Sequence, residues 1–177
     1  DGVGAAEGLA FDEALMAGYA RGEPPRPPTL RLYTYRDHCA LVGRYQHLEA
    51  EVDVDACARA GVGVNRRPTG GGAIIMGEDQ LGVAVVMAAP AEHPRQLMRG
   101  LSDGIVDGLA ELEISASFGG KNDLEVSGRK IAGLGIYIDG RGALLFHASV
   151  LADLDVPFML TVLRIPAAKL GGKGIAA

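Results

Sequence analysis

Three strand-like runs follow one another at residues 123–127, 131–138 and 143–151, separated only by the turns SGR and DGRG. Parallel neighbours need a crossover of a dozen residues or more, so connections this short force antiparallel pairing. Upstream, LGVAVVM (81–87) is a continuous, β-branched apolar stretch that reads as a central strand. LRLYTY (30–35) alternates with period two and predicts a half-buried strand, and CALVGRYQ (39–46) predicts a second strand after a short turn. Leu9, Ala10, Ala14 and Leu15 share one face of a first helix, which GEPPRPPT (22–29) stops. Residues 52–60 fit a short helix ended by Gly61 and Gly63. Pro94 opens a longer one with Leu97, Leu101, Ile105, Leu109 and Leu112 spaced by three or four. VPFMLTVL (156–163) fits a last short helix. Strands paired through tight turns, with helices collected elsewhere, give an α+β class rather than a βαβ alternation.

The length of 177 residues suits one domain, 1–177. A net charge of −5 argues against broad electrostatic binding to nucleic acid or an anionic membrane. Trp is absent and aromatic residues are few, so no base-stacking platform is expected. The first twenty residues lack the basic start of a signal peptide, and no apolar run is long enough to span a bilayer, so the expected compartment is the cytoplasm. Cys39 and Cys57 form no CxxC and are expected to be buried, reduced thiols. The ending KLGGKGIAA has no capping element and reads as an interruption, with a C-terminal accessory region expected beyond it.

The stretch with most chemistry is RRPTGGGA (66–73). It is neither GxxxxGK[ST] nor GxGxxG. A triple glycine alone is a tight turn or bulge before it is a phosphate cradle. Arg66 and Arg67 beside it change that balance, because guanidinium groups match phosphate or carboxylate and glycines let backbone N–H groups reach the same anion. A second polar cluster is GGKNDLEVSGRKIAG (119–133). A hairpin there brings Lys130 near Asn122 and Asp123, suited to neutralising a phosphate while the carboxylate holds a magnesium ion. A solvated surface hairpin fits the same composition.

Together these stretches resemble the lipoate–protein ligase A family, within the biotin/lipoate ligase and octanoyltransferase superfamily. EGLAFDEAL is similar to the family's first helix, and PPTLRLYTY with LVGRYQ to its first hairpin. RRPTGGGA is similar to the lipoate-binding loop, GKNDLEVSGRKIAG to the adenylate-binding segment, and LLFHASVLADLD to the following strand. The resemblance implies a class II aminoacyl-tRNA synthetase/biotin synthetase-like fold, with a central, mostly antiparallel sheet flanked by helices. It also implies use of ATP and Mg2+: lipoate would be activated as lipoyl-AMP, then transferred to a lysine of an apo lipoyl domain of a 2-oxoacid dehydrogenase or of the glycine cleavage H protein. An accessory domain or subunit is a further implied partner. Lys130 would be the catalytic cation. Arg67, Gly70, Gly71, Gly72, Ala73, Ile74, Ile75, Met76, Lys130 and His147 would bind lipoate and ATP, and Asn122 and Asp123 would hold the magnesium ion.

The resemblance is imperfect at Met76, where the ligases carry a His, and at Gln80, where they often carry Asn. GEDQL (77–81) is also similar to the GPGQL of octanoyltransferases, and KIAGLGIYI to their KIAAIGVRI. Those transferases pass the acyl group through a cysteine thioester. One subgroup carries the cysteine where this chain has Ser117, another where it has Pro166-Ala167. Neither position is a cysteine here, which disfavours the thioester route. The alternatives are an octanoyl or lipoyl transferase working without ATP and a non-catalytic acyl-adenylate-binding subunit. His147 corresponds to the second His of a family HHG segment, and a histidine satisfied by a backbone carbonyl fits equally. No histidine pair has metal-ligand spacing, so no structural metal is expected.

Overall fold

The computed structural model describes residues 2–19, 24 and 26–164. The terminal KLGGKGI and the Pro166-Ala167 position lie outside them. Helix α1 spans Ala5–Ala17 and strand β1 Thr29–Tyr33; β2 is Cys39–Val42, α2 Leu48–Glu51, α3 Val54–Ala60, β3 Gly63–Arg66, β4 Ile74–Met76 and β5 Gln80–Ala88. Helix α4 is Pro94–Ala110, followed by β6 (Ser117–Gly119), β7 (Asp123–Val126), β8 (Arg129–Ile138), β9 (Ala143–Leu151) and α5 (Val156–Val162). A six-stranded antiparallel sheet runs in the order β1-β5-β9-β8-β7-β6, and a three-stranded sheet in the order β3-β2-β4. The antiparallel meander β7-β8-β9 is what the short turns at 127–128 and 139–142 dictate.

The expected first hairpin does not form. β1 pairs with β5 in the large sheet, whereas β2 is the central strand of the small one, parallel to β3 and antiparallel to β4. The burial of each strand explains the separation. All four residues of β2 are buried, which demands cover on both faces, while β1 is an edge strand buried on one side. Its inward side also inverts the simple hydrophobic expectation, because Tyr33 points in, whereas Leu30 and Leu32 remain 63% and 57% exposed.

Helix α1 corrects a second expectation. Its buried face carries Gly8, Leu9, Asp12 and Met16, and Ala10 and Ala14 are exposed. The Asp12 carboxylate is ion-paired with Arg31 of β1, a buried pair that fixes the helix across the sheet. Helix α4 covers the opposite face through Leu97, with Leu101 and Ile105 packed alongside. Leu112 falls beyond its end and is 69% exposed. Among the described residues, no helix is long and apolar enough to cross a membrane.

Between the two sheets lies a core of Leu9, Met16, Tyr33, Leu41, Met76 and Leu145. Val42, Cys57, Ile75 and Val162 build another on the far side of the small sheet, under α3 and α5. Residues 67–73 therefore connect two strands of the small sheet, β3 and β4, while facing the large one.

Candidate active site

The glycine loop is held from within by both arginines. Arg67 is 5% exposed, and its guanidinium donates to the carbonyls of Leu41 (2.8 Å), Gly70 (2.9 Å) and Gly72 (2.6 Å). Burial draws its pKa down to about 10, so it stays charged at neutral pH. Arg66 donates from Nη1 to Gly43, Gln46 (both 2.8 Å) and Arg44 (3.2 Å) carbonyls. The two side chains expected to meet an anion thus meet backbone oxygens instead.

Their effect on the loop is nevertheless the one an anion needs. The Gly70 and Gly72 carbonyls turn inward to Arg67, and the Gly71 carbonyl turns toward Gly43, where a Cβ would stand only 2.2 Å from it. Gly71 reaches this geometry with φ 95°, a conformation that favours glycine. Gly70, Gly71 and Gly72 are exposed, and within the described residues their amides and that of Ala73 donate no hydrogen bond. Four backbone donors beside a buried cation make a nest for negative charge.

The rest of the expected loop set divides. Ala73 and Ile74 are half-buried next to the nest, whereas Ile75 (3% exposed) and Met76 (2%) point into the cores on opposite sides of the small sheet. Their side chains are walled off, since alternate residues of a strand face opposite ways. Met76 fills a core position, and Gln80 accepts from the Gly77 amide at 2.7 Å to brace the turn after it.

His147 stands on β9 across from Gly135, with its Nε2 2.7 Å from the Thr69 hydroxyl. A Cβ at Gly135 would lie 2.5 Å from that imidazole, so glycine is what permits the pair. Burial, followed by the Arg67 charge, pulls the imidazole pKa down to about 3. His147 is neutral throughout the physiological range and ties the glycine loop to the large sheet. Thr69 is not among the residues the sequence singles out; its signal there is a hydroxyl immediately preceding three glycines.

Lys130 is delivered by an irregularity in β8. Leu124 pairs with Ala132 but Glu125 with Lys130, so one residue of β8 is skipped in the register. Without that bulge Lys130 would face α4. With it, Lys130 shares the face of Asp123 and Gly133, and its Nζ lies 2.6 Å from Asp123 Oδ1. The ammonium also sits 3.2 Å from where a Gly133 Cβ would be. Asn122 reaches across to β8, its Nδ2 donating to the Leu134 carbonyl at 3.0 Å, while its own carbonyl accepts from the Leu134 amide at 2.8 Å. Asn122 thereby anchors the strand that carries Asp123, whose carboxylate is already engaged by Lys130.

Neither cysteine joins this group. Cys39 and Cys57 are buried on opposite sides of the small sheet, and burial raises both thiol pKa values, that of Cys39 to about 11. An open hollow of about 370 Å³ lies near the arginines, lined by Glu13, Arg44, Tyr45, Arg66, Arg67 and Pro68. None of these residues belongs to β7 or β8, so this hollow does not take in Lys130.

Residues 4–177 match the family described as the lipoyl protein ligase A/B catalytic domain. The chain is 33% identical to the octanoyltransferase LipM of Symbiobacterium thermophilum over 184 residues, covering 90% of this chain and 66% of that protein. Its fold superposes with TM-score 0.81 and 31% identity on the bipartite lipoate protein ligase of Thermoplasma acidophilum, studied with its E2 lipoyl domain, covering 92% of this chain and 63% of that one. It superposes equally, with TM-score 0.81 and 29% identity, on a lipoate-protein ligase A bound with ATP, covering 91% of this chain and 67% of that one. The chain thus spans about two thirds of these relatives' lengths. Fold, loop and sequence agree: the chain belongs to the lipoyl protein ligase A/B catalytic domain family.

Proposed function

We propose that this chain is the catalytic domain of an ATP-dependent lipoate–protein ligase. The observation that carries the reading is a combination of cation and anion nest without a thiol: Lys130 is present with the amides of Gly70 to Ala73, which donate no hydrogen bond among the described residues, while both cysteines are buried away from them. A thioester route needs an accessible, low-pKa thiol, and burial drives both thiols the other way. Similarity to a ligase bound with ATP supports the nucleotide, and similarity to a ligase studied with an E2 lipoyl domain supports lipoyl domains, with an accessory subunit, as partners.

In this reading the lipoate carboxylate attacks the α-phosphate of ATP and pyrophosphate departs. The lysine amine of an apo lipoyl domain then attacks the acyl carbonyl, AMP departs, and an amide remains. The obstacle in the first step is the approach of two anions. Lys130, kept from swinging away by Asp123, supplies a fixed positive charge, and the loop amides receive phosphate oxygens. Magnesium carried by ATP would screen the phosphate charge, and the Asp123 carboxylate with the Asn122 segment is the oxygen-bearing group that fits it. The Thr69–His147 pair keeps the nest seated on the large sheet without adding a second proton to the site.

The 33% identity to an octanoyltransferase favours one second reading, transfer from an acyl carrier without ATP. Pyrophosphate release from ATP, magnesium and lipoate separates them, measured for wild type and Lys130→Ala with and without an apo lipoyl domain. Release that is lost in the variant by on the order of 10²-fold or more supports adenylation through Lys130. No release, together with ATP-independent transfer from an octanoyl carrier, would establish the transferase instead.

A further inference from the structure

Ser149 of β9 is 8% exposed, and its hydroxyl makes no hydrogen bond among the described residues. A hydroxyl that reaches the surface of the sheet without a protein partner is free to meet a ligand. Along the face of the large sheet turned away from α4, paired positions run Asp123, Gly133, Ser149, Gly82 and Tyr33, each on the neighbouring strand. Both immediate neighbours of Ser149 are glycines, so its hydroxyl is flanked only by side chains that reach in over them. The Lys130 ammonium lies over Gly133, and the Tyr33 ring lies over Gly82, 2.3 Å from where a Cβ there would be. The Ser149 side chain is therefore on the same face as the Lys130 ammonium, one strand away from the Gly133 backbone that the ammonium lies over. A single ligand oxygen above this row can accept hydrogen bonds from two such donors.

We propose that Ser149 is a further catalytic residue, donating its hydroxyl hydrogen to the acyl oxygen that Lys130 also faces. The inference rests on the acyl-transfer reading above but not on ATP. During attack on the acyl carbon the C=O π bond opens, its electron pair moves to oxygen, and the new C–N bond forms. When the carbonyl reforms, the leaving group departs with the electrons of its own bond, and the amine gives up its proton to solvent. Ser149 keeps its proton throughout and stabilises the transient oxyanion, with Lys130 as the charged partner in a two-donor hole. The same hydrogen bond holds the carboxylate before activation, but it tightens only as charge gathers on that oxygen, so its main effect falls on the rate.

The test supplies an activated acyl donor and so bypasses adenylation. Lipoyl-AMP is mixed with an apo lipoyl domain, and amide formation is followed for wild type, Ser149→Ala and Ser149→Thr; an octanoyl thioester donor forms a parallel arm. Ser149→Ala is expected to lower kcat by on the order of 10- to 100-fold with a much smaller change in KM, and Ser149→Thr to restore most of the rate. Folding is checked by melting, which should barely move because the hydroxyl has no protein partner to lose. Transfer by Ser149→Ala at the wild-type rate overturns the proposal, as does a loss that Ser149→Thr fails to rescue. If wild type transfers from lipoyl-AMP or the thioester but releases no pyrophosphate from ATP, the ligase reading fails and Ser149 is still tested.

Discussion

The loop at 66–73 and the strand pair β7–β8 both join a cation to a glycine-rich backbone, and they use the cation in opposite ways. In the loop, Arg67 is buried and its fork is filled by three carbonyl oxygens. In the strand pair, Lys130 keeps about a third of its side chain exposed beside Asp123. An Arg fork suits a fixed scaffold because its planar donors hold several acceptors at once, whereas a lysine ammonium on a flexible stem can follow a ligand. In the proposed reading the loop arginine shapes the anion site through backbone amides, and the strand lysine meets the anion itself.

The sharpest way to break that comparison is to remove each cation and measure melting and turnover together. Arg67→Ala leaves three carbonyls without their donor in a buried setting, at about 1–3 kcal/mol for each that finds no water. We expect a lower melting temperature and lost activity together. Lys130→Ala should lose activity comparably while melting close to wild type, since an exposed or half-exposed ion pair contributes roughly 0–1 kcal/mol. Equal destabilisation by the two substitutions would erase the distinction. Arg67→Lys should resemble Arg67→Ala, because one ammonium cannot span acceptors on both Leu41 and the glycine loop.

How much of this contrast was readable beforehand depends on what sets each feature. The β7-β8-β9 meander was legible because short turns leave no other pairing, and α4 because its apolar spacing is long and regular. The split of β1 and β2 between sheets was not, since a short link between two strand-like runs looks the same whether or not they pair. The period-two alternation of LRLYTY was legible as a half-buried strand, but not which face turns inward; the Arg31–Asp12 pair and Tyr33 settle that, leaving Leu30 and Leu32 exposed. Arg67 and Lys130 were both visible as charges near glycines. Their difference rests on long-range partners, the Leu41 carbonyl in one case and a bulge in strand pairing in the other, which spacing along the chain does not encode. Ser149 escaped notice for the same reason: only the register places it beside Gly133.

A smaller perturbation sharpens the scaffold half. At Gly43 a methyl group would stand 2.2 Å from the Gly71 carbonyl, which is backbone and cannot swing aside. Gly43→Ala should push the glycine loop out of place while leaving Lys130 and Asp123 untouched. The expected cost is about 1–3 kcal/mol of stability. Pyrophosphate release should show a raised KM for ATP, with amide formation from supplied lipoyl-AMP less affected. A KM for ATP equal to that of wild type would mean that the loop amides do not receive the nucleotide.

The gentlest test acts through pH and reaches the joint between the two regions. His147 is neutral in the fold because burial, and then the Arg67 charge, lower its pKa from an ordinary 6.5 to about 3. Its unfolded form takes up a proton as pH falls through 6.5, while the folded form resists until about 3. Over that window the unfolded state binds more protons, so stability declines as pH falls, by up to about 1.4 kcal/mol per pH unit from this one group. Above pH 6.5 the contribution is complete and flat. His147→Gln can retain a hydrogen bond to Thr69 without a titrating ring, and it should flatten the decline between pH 6 and 4 as read by denaturant midpoints, by roughly one proton's slope. Because carboxylates contribute their own slope in that range, the difference between wild type and variant is the informative quantity. If the two curves run parallel, His147 is not held neutral, and the joint between glycine loop and large sheet carries charge.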